Sequence, residues 1–249
     1  MKIIADLHTH TIKCGHAYSS LQEMAQGAKD NGIEIMATTD HGPNMPGAAD
    51  LTYFEDLIQI PEKIAGTRVL KGAESNIIGP DGQLDIPDRV LARLELVLVG
   101  FHPRCGYQGQ SVEDHTRAMM GAIENPLVDL VVHPGNPMFP INISQVIKAA
   151  KENDVIIEIN NSSFRGSRKG SRENCSEIAV KCRQEGIMVS ADSDSHLSFD
   201  VGRLDRAIKL IKEAGIRPEQ VINTSKEDVL AFVDRKLKVK KEFLEGVEL

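Results

Sequence analysis

Short apolar runs recur along this chain, and each gap between them is long enough for a helix. The runs lie near residues 2–7, 35–40, 68–74, 95–101, 128–132, 155–159 and 187–191. They are continuously apolar, as is typical of parallel strands that are covered by helices. Parallel strands need a crossover connection, which is usually a helix. The spacing therefore predicts an α/β fold, a distorted TIM-like (β/α)7 barrel.

The segments between these runs carry helix signals. Helices are predicted near residues 20–31, 53–64, 112–123, 144–153, 173–185, 203–213 and 226–235. Ser20 begins a capping-box spacing, and Ser144 and Ser225 are predicted N-caps. The apolar pair at 221–222 is very short for an eighth strand, so we expect seven βα units.

Length and composition favour one domain over residues 1–249. The chain has 249 residues, of which 41% are hydrophobic, and no linker or low-complexity segment interrupts it. We see neither a long apolar run nor a signal-peptide pattern, so we expect no membrane span and a cytoplasmic location. The cysteines form no C-x-x-C pair and are predicted to be free thiols. They are Cys14, Cys105, Cys175 and Cys182.

The charge balance narrows the choice of partners. A formal net charge of −7 argues against long nucleic acid, because phosphate backbones need a basic footprint. A local basic pocket can still hold one small phosphate ester. The basic stretch at 235–241 is followed by Glu242, Glu245 and Glu248, which indicates a solvated helix end of mixed charge.

Metal-ligand residue types follow the predicted strands. Seven of the eight histidines lie at or just past strand ends, and the carboxyl ends of barrel strands meet at one rim. His8 and His10 are one residue apart, so on a strand they point the same way. The candidate ligands are His8, His10, His16, His41, Glu74, His102, His133, Asp194 and His196.

This donor set indicates more than one metal ion. Imidazole and carboxylate suit Zn²⁺, Mn²⁺ or Fe²⁺, and nine donors exceed the needs of one tetrahedral ion. A single histidine at a strand end is more often a hydrogen-bonded core or surface residue. Nine such residues on one rim favour a shared metal centre. His115, in the helix after the fourth strand, is interpreted as a surface residue, and Cys14 as a packing residue.

The spaced motifs resemble the polymerase and histidinol phosphatase (PHP) family across nearly the whole chain. The motifs are Asp6 to His10, His16, Thr39 to Gly42, Glu74, Gly100 to His102, His133 to Pro137 and Asp192 to His196. Segments 158–163 and 167–171 are similar to the small, stand-alone bacterial branch of probable phosphatases.

The resemblance implies a single PHP domain, a distorted (β/α)7 barrel and three metal ions, usually zinc. By this resemblance, Glu74 bridges two of the ions. It also implies three ligand groups, which are His8, His10, Glu74 and Asp194; Glu74, His102 and His133; and His16, His41 and His196. It is compatible with a homo-oligomer.

The expected activity is hydrolysis of small phosphomonoesters by a metal-bound hydroxide, with Glu74, Asp194 and His196 as its catalytic ligands. Asp6 and Asp40 either orient ligand imidazoles or cap the backbone. Basic residues in the loops after the fourth and sixth strands are expected to bind the phosphate of the substrate. They are Arg104, Arg165, Arg168 and Lys169. The loop at 42–49 is expected to lie over the barrel mouth.

Three alternatives remain open. One is a phosphodiesterase or exonuclease for short nucleic acids, although the acidic charge and the scarcity of aromatic residues count against it. Another is an amidohydrolase-type barrel, which would need a carboxylated lysine where this chain has Glu74 and would leave His16 without a role. The third is a non-catalytic metal-binding or regulatory module.

Overall fold

The computed structural model describes residues 1–164, 168 and 170–246. The strands are β1 (Ala5–Thr9), β2 (Ile35–Thr38), β3 (Lys63–Ile64), β4 (Thr67–Asn76), β5 (Leu96–Gly100), β6 (Leu130–Val131), β7 (Ile156–Asn160) and β8 (Val189–Asp192). The helices are α1 (Leu21–Asp30), α2 (Leu51–Glu55), α3 (Asp88–Leu91), α4 (Val112–Glu124), α5 (Ile143–Glu152), α6 (Ser171–Glu185), α7 (Asp205–Glu213) and α8 (Lys226–Gly246). Short 3₁₀ turns fall at Ile12–Cys14, Asp56–Gln59, Ser162–Phe164, Ser198–Asp200, Pro218–Gln220 and Ile222–Thr224.

Seven parallel strands form a nearly closed barrel in the order β1-β2-β4-β5-β6-β7-β8. Each neighbouring pair is parallel, while β3 forms an antiparallel hairpin with β4 outside this path. The predicted distorted (β/α)7 barrel is therefore confirmed. Within the described ranges, no helix combines the length and the apolar character that crossing a bilayer requires.

The seam between β8 and β1 is where the barrel is distorted. Thr9 and Ser195 make a single parallel bridge there. Lower in the seam, the buried Asn223 joins both strands through its side-chain amide. Its Nδ2 donates to the carbonyl of Ala5 at 3.1 Å, and its Oδ1 accepts from the amide of Ala191 at 2.7 Å. The apolar pair at 221–222, which was predicted to be too short for a strand, thus leads into a 3₁₀ turn that lies between β8 and β1.

The core has two layers that follow from strand alternation. On β5, Leu96 and Leu98 belong to an interior cluster that includes Phe232 of α8. Val97 and Val99 belong to the cluster between the sheet and the surrounding helices. Helix α8 therefore covers the floor of the barrel, at the end opposite the carboxyl ends of the strands.

Helix starts were predicted with mixed success. The capping box at Ser20 is present, and Ser225 accepts from the amide of Asp228. For α5, however, the N-cap is Asn142, whose side chain accepts from the amide of Gln145, so the assignment to Ser144 was wrong.

The helix predicted over 53–64 was also wrong. Helix α2 ends at Glu55 and passes into a 3₁₀ turn, and the chain is extended at Ile60, directly before Pro61. The residue before a proline disfavours helical geometry. Ala65 and Gly66 then adopt left-handed φ angles of 53° and 94°, as a tight turn between antiparallel strands requires.

Helix α8 extends eleven residues past its predicted end at Arg235, to Gly246. Two lysines of its basic stretch, Lys236 and Lys240, are buried and face Asp129. The interpretation of that stretch as a solvated helix end was therefore wrong at these two positions, because a buried carboxylate pairs with them.

Candidate metal centre

Strand ends gather the nine predicted ligands at the carboxyl end of the barrel. We call these nine residues the rim cluster: His8, His10, His16, His41, Glu74, His102, His133, Asp194 and His196. All of them are buried except His16, which is exposed, and His196, which is partly exposed. The cluster therefore has a dry interior and one side that reaches solvent.

The imidazoles of the rim cluster meet in three pairs through their Nε2 atoms. The Nε2–Nε2 distance is 3.0 Å for His8 and His10, 3.1 Å for His102 and His133, and 2.9 Å for His16 and His196. Two nitrogens bound to the same tetrahedral zinc ion would be about 3.3 Å apart, given zinc–nitrogen bonds of about 2.0–2.1 Å. Each pair is thus close to the spacing that one ion would impose.

Glu74 lies at the centre of the rim cluster, and its two oxygens face different histidines. Its Oε1 is 2.8 Å from Nε2 of His133 and 3.0 Å from Nε2 of His102. Its Oε2 is 2.8 Å from Nδ1 of His41, 3.2 Å from Nε2 of His8 and 3.3 Å from Nε2 of His10. A carboxylate with imidazoles around both oxygens has the geometry of a bridging ligand.

Asp194 closes the cluster beside β8. Its Oδ1 is 3.3 Å from Nε2 of His10, while its Oδ2 pairs with Arg168 at 2.5 Å. Asp194 and His133 both adopt left-handed backbone angles, with φ of 53° and 35°. Such angles are costly for residues with a Cβ and are found where the surrounding structure fixes a functional side chain.

The rim cluster contains polar atoms that hydrogen bonding does not explain. Among the described residues, several of its buried atoms have no correctly aligned hydrogen-bond partner, although such atoms are normally paired. These atoms are His10 Nδ1, His41 Nδ1, Glu74 Oε2, His102 Nδ1 and Asp194 Oδ1. Nδ1 of His41 and Oε2 of Glu74 face each other at short range without hydrogen-bond alignment. Nitrogen and carboxylate donors of this kind fit Zn²⁺, Mn²⁺ or Fe²⁺.

Burial lowers the pKa of four of the seven rim imidazoles and so favours their neutral form, which is the form that binds metal. It lowers the pKa of His10, His16 and His196, and it lowers the pKa of His133 to about 3. At His8 burial acts the same way, but the carboxylates of Glu74, Glu158 and Asp194 outweigh it and raise the pKa well above its usual value. Burial raises the pKa of Glu74, but the surrounding imidazoles reverse this effect and hold it well below its usual range.

His41 lies close to two of the ligand groups that the resemblance implied. Its ligand nitrogen lies within 4.8 Å of ligand atoms of Glu74 and His102, and also of His10 and His196. His41 therefore lies between the centre of the cluster and its exposed side. Cys14 Sγ is likewise within 4.8 Å of ligand atoms of His16 and His196. Burial raises the pKa of the Cys14 thiol to about 11, which suits a packing residue.

Behind the cluster, Asp6 and Asp40 cap the backbone. Asp6 accepts from the amides of Ser193 and Gly202, and Asp40 accepts from the amide of Thr11 and the hydroxyl of Tyr53. No hydrogen bond between either carboxylate and a described imidazole is present. Of the two interpretations left open for these residues, the geometry favours backbone capping.

Glu158 makes the contact that was expected of Asp6 and Asp40. Its Oε1 is 2.8 Å from Nδ1 of His8, and its Oε2 accepts from the amide of His133 at 2.6 Å. If His8 donates from Nδ1, its Nε2 presents a lone pair to the cluster. No role for Glu158 follows from the sequence motifs alone. The available signal was an acidic residue inside an otherwise apolar strand.

A cavity of about 740 Å³ opens above the rim cluster. Arg104 and Arg168 line it, and so do Met45 and Pro46 from the loop at 42–49 that was expected over the mouth. Two of the four predicted phosphate-binding residues therefore reach this cavity. The other two, Arg165 and Lys169, lie outside the described residues.

His115 is buried, so its interpretation as a surface residue was wrong. Its Nδ1 is 2.9 Å from the carbonyl of Pro140, and its ring packs against Phe101, Tyr107 and Phe139. It is the one histidine outside the rim cluster, and it has a packing role.

Comparisons with known proteins agree with this arrangement. A family model described as the PHP domain matches residues 6–98. A probable phosphatase from Acetivibrio thermocellus is 50% identical over 236 residues, which are 95% of this chain and 97% of that protein. A probable phosphatase from Thermoanaerobacter sp. strain X514 is 48% identical over 95% of this chain and 96% of that protein.

Among solved structures, a histidinol phosphate phosphatase from Lactococcus lactis, complexed with zinc, L-histidinol and phosphate, has a similar fold. The TM-score is 0.61 at 15% identity, over 86% of this chain and 94% of that one. At this identity the likeness concerns the fold. Because relatives at about half identity match almost end to end and the family model matches the first strands and motifs, the chain belongs to the PHP family.

Proposed function

We propose that this protein is a metal-dependent phosphatase that hydrolyses small phosphomonoesters at a centre of three metal ions, most simply zinc. The observation that carries this proposal is the meeting of two imidazole pairs around Glu74, with a third pair, His16 and His196, on the exposed side of the cluster. The names of the probable phosphatases that resemble the chain over nearly its full length support it.

The nine residues of the rim cluster would hold the ions, with Glu74 shared between two of them. Metal ions in such sites lower the pKa of water and neutralise charge on phosphoryl oxygens. Glu74, Asp194 and His196 would act in catalysis as ligands, so no serine or cysteine nucleophile is required. Mn²⁺ or Fe²⁺ would suit the same donors.

Arg168 is placed to bind the phosphate of the substrate. It lines the cavity, and its side chain is only 16% exposed. One of its nitrogens pairs with Asp194, which leaves other guanidinium donors for phosphate oxygens. The pairing with Asp194 would also fix the direction of the guanidinium group.

A small substrate suits both the cavity and the charge of the protein. A volume of about 740 Å³ is that of a pocket for a small molecule. The net charge of −7 disfavours long nucleic acid. Four buried free thiols support a cytoplasmic location, where cysteines stay reduced. A homo-oligomeric state and a single domain over 1–249 stay predictions.

The proposal is tested by measuring metal content and turnover on one sample. We expect about three ions per chain by elemental analysis, and phosphate release from p-nitrophenyl phosphate that chelation abolishes and added metal restores. Preferred cleavage of bis-p-nitrophenyl phosphate or of short oligonucleotides would favour the phosphodiesterase alternative. Full metal occupancy without turnover of any ester would favour a non-catalytic metal-binding module.

A further inference from the structure

Arg104 is a cation at the mouth of the cavity above the rim cluster. The residue is exposed, whereas the neighbouring rim residue His102 is buried. In residues 1–164, 168 and 170–246, no ion pair or side-chain hydrogen bond engages its guanidinium. It therefore differs from Arg168, the other described arginine of the cavity, which pairs with Asp194 at the cluster itself.

The loop that carries Arg104 is fixed in an unfavourable backbone conformation. Arg104 has a φ of 70°, in the left-handed region that residues with a Cβ rarely adopt. The next residue, Cys105, is held through its carbonyl, which accepts from Nδ2 of Asn44 at 3.0 Å. Asn44 is in turn anchored through its own amide to Asp85. Strain that neighbouring loops maintain is a feature of ligand-contacting positions.

Much of the remaining cavity wall is apolar, and its polar residues Asn136 and Ser162 are uncharged. Met45, Pro46, Phe101 and Met138 line it, and their side chains carry no charge. Among the described lining residues, the only carboxylate is that of Asp194, which already pairs with Arg168. A cationic group on a substrate would find no acidic partner at this wall and would be repelled by Arg104.

We propose that Arg104 binds a second anionic group of the substrate, a carboxylate on the leaving group of the phosphomonoester. The preferred substrate class is then a phosphate ester with a short apolar body, whose phosphate lies at the rim cluster and whose carboxylate lies at the mouth. This inference rests on the proposed phosphatase function and adds the selectivity for the leaving group. A guanidinium matches a carboxylate with two parallel hydrogen bonds, which gives geometric as well as charge selectivity.

The test uses three substrates that differ only at one position: 4-carboxyphenyl phosphate, phenyl phosphate and 4-(aminomethyl)phenyl phosphate. The metal-loaded protein should hydrolyse the carboxylate with a kcat/KM at least about tenfold above that of the ammonium compound. Phenyl phosphate should lie between them. In Arg104→Asn, the ratio of kcat/KM for the carboxylate substrate to kcat/KM for the ammonium substrate should fall to about one. Asparagine tolerates the left-handed backbone, so the loop can keep its shape.

Two further variants make the test specific. Arg104→Lys retains the charge, so its kcat/KM ratio should lie between that of Arg104→Asn and that of the wild type. Arg93→Asn removes another exposed arginine, which lies just before β5 at the opposite end of the barrel, and should leave the kcat/KM ratio unchanged. Metal content measured on each variant excludes an effect through the rim cluster.

The outcomes separate this inference from the function on which it rests. Equal turnover of the three substrates by the wild type would overturn the role of Arg104 and leave the phosphatase proposal intact. A ratio that persists in Arg104→Asn, with all three rates lowered alike, would instead make Arg104 a ligand of the transferred phosphate and overturn the inference. No hydrolysis of any of the three by metal-loaded protein would overturn both.

Discussion

Nδ1 of His8 lies 2.8 Å from Oε1 of Glu158, and both side chains are completely buried. The other oxygen of Glu158 accepts from the backbone amide of His133. One carboxylate thus orients two residues of the rim cluster, one through its ring and one through its backbone. A carboxylate behind a ligand histidine fixes the tautomer and makes the ring a stronger ligand.

We therefore expect Glu158→Gln to weaken zinc binding by about 10- to 100-fold while the fold persists, because glutamine offers only one acceptor oxygen. Competition with a chelator of known affinity measures this change. Excess zinc should restore most of the activity. Glu152→Gln is the matched control, since the Glu152 side chain on α5 is 63% exposed. Unchanged zinc affinity in Glu158→Gln would show that the contact with His8 does not support metal binding.

His16 lies on the exposed side of the rim cluster, where it pairs with His196 at 2.9 Å. His16→Ala should lower the metal content from about three ions per chain to about two, because the buried histidines around Glu74 remain. Elemental analysis measures the stoichiometry. His115→Gln is the histidine control: it should lower thermal stability through lost packing and keep the full metal content. A wild type with a single ion would contradict the three-ion proposal.

Much of the fold and of the site was predictable because both depend on a simple pattern. Continuous apolar runs predicted the parallel strands. Residues that directly follow parallel strands of a barrel meet at one rim. His102 and His133 follow different strands and are 31 residues apart, yet their Nε2 atoms are 3.1 Å apart. Chain order and strand direction alone bring such residues together.

Other features depend on contacts that no local pattern reports. Glu158 lies in a strand between Ile157 and Ile159, and a buried acid there requires a partner that the sequence does not name. His115 was predicted to be at the surface because histidine is polar. It lies four residues before Met119, however, and so on the buried face of α4. Lys240 follows Phe232 by two helical turns, but its partner Asp129 lies 111 residues away.

Arg168 pairs with Asp194 of the rim cluster and also lines the cavity. Its removal should therefore slow the hydrolysis of monoesters more than that of diesters. A monoester carries an additional negative oxygen for the guanidinium to bind. We expect the wild type to favour p-nitrophenyl phosphate over its bis-ester by at least about tenfold in kcat/KM. Arg168→Ala should narrow that gap by more than it slows diester hydrolysis, and Arg168→Lys should narrow it less. Wild-type protein that prefers the diester would instead support the nuclease alternative.

Buried thiols make the protein sensitive to alkali. Burial raises the pKa of Cys182 from 9.0 to about 12, and that of Cys175 from 9.0 to about 11. The unfolded chain therefore releases these protons first, so their contribution to stability is complete below pH 9 and is lost as pH rises towards 11 and 12. Each thiol should lower the free energy of unfolding by up to about 1.4 kcal/mol per pH unit in that window.

Urea unfolding at several alkaline pH values measures this loss. Cys182→Ala should be less stable than the wild type at neutral pH because it leaves a small cavity, but its stability should fall less steeply above pH 9. Parallel curves for the variant and the wild type would show that the Cys182 thiol does not contribute to the alkaline transition.

The floor of the barrel depends on a buried ion pair far from the rim cluster. Lys240 Nζ on α8 lies 2.5 Å from Oδ2 of Asp129, with both side chains almost fully buried, and also donates to the carbonyl of Leu94. Lys240→Met would leave the carboxylate without its main partner, so we expect a loss of about 3–5 kcal/mol in the free energy of unfolding. Urea denaturation at a fixed zinc concentration measures it, and Lys238→Met on the exposed face should change it by less than about 0.5 kcal/mol.

The double variant Asp129→Asn with Lys240→Met tests whether the loss comes from an unpaired charge. Removing both charges should recover most of the stability, because neutral side chains of similar size do not carry the desolvation cost of an isolated carboxylate. Lys236, whose Nζ is 3.8 Å from Oδ1 of Asp129, would otherwise compensate only in part. If the double variant is as unstable as Lys240→Met, then lost packing of the lysine stem under the barrel, rather than the buried charge, holds α8 in place.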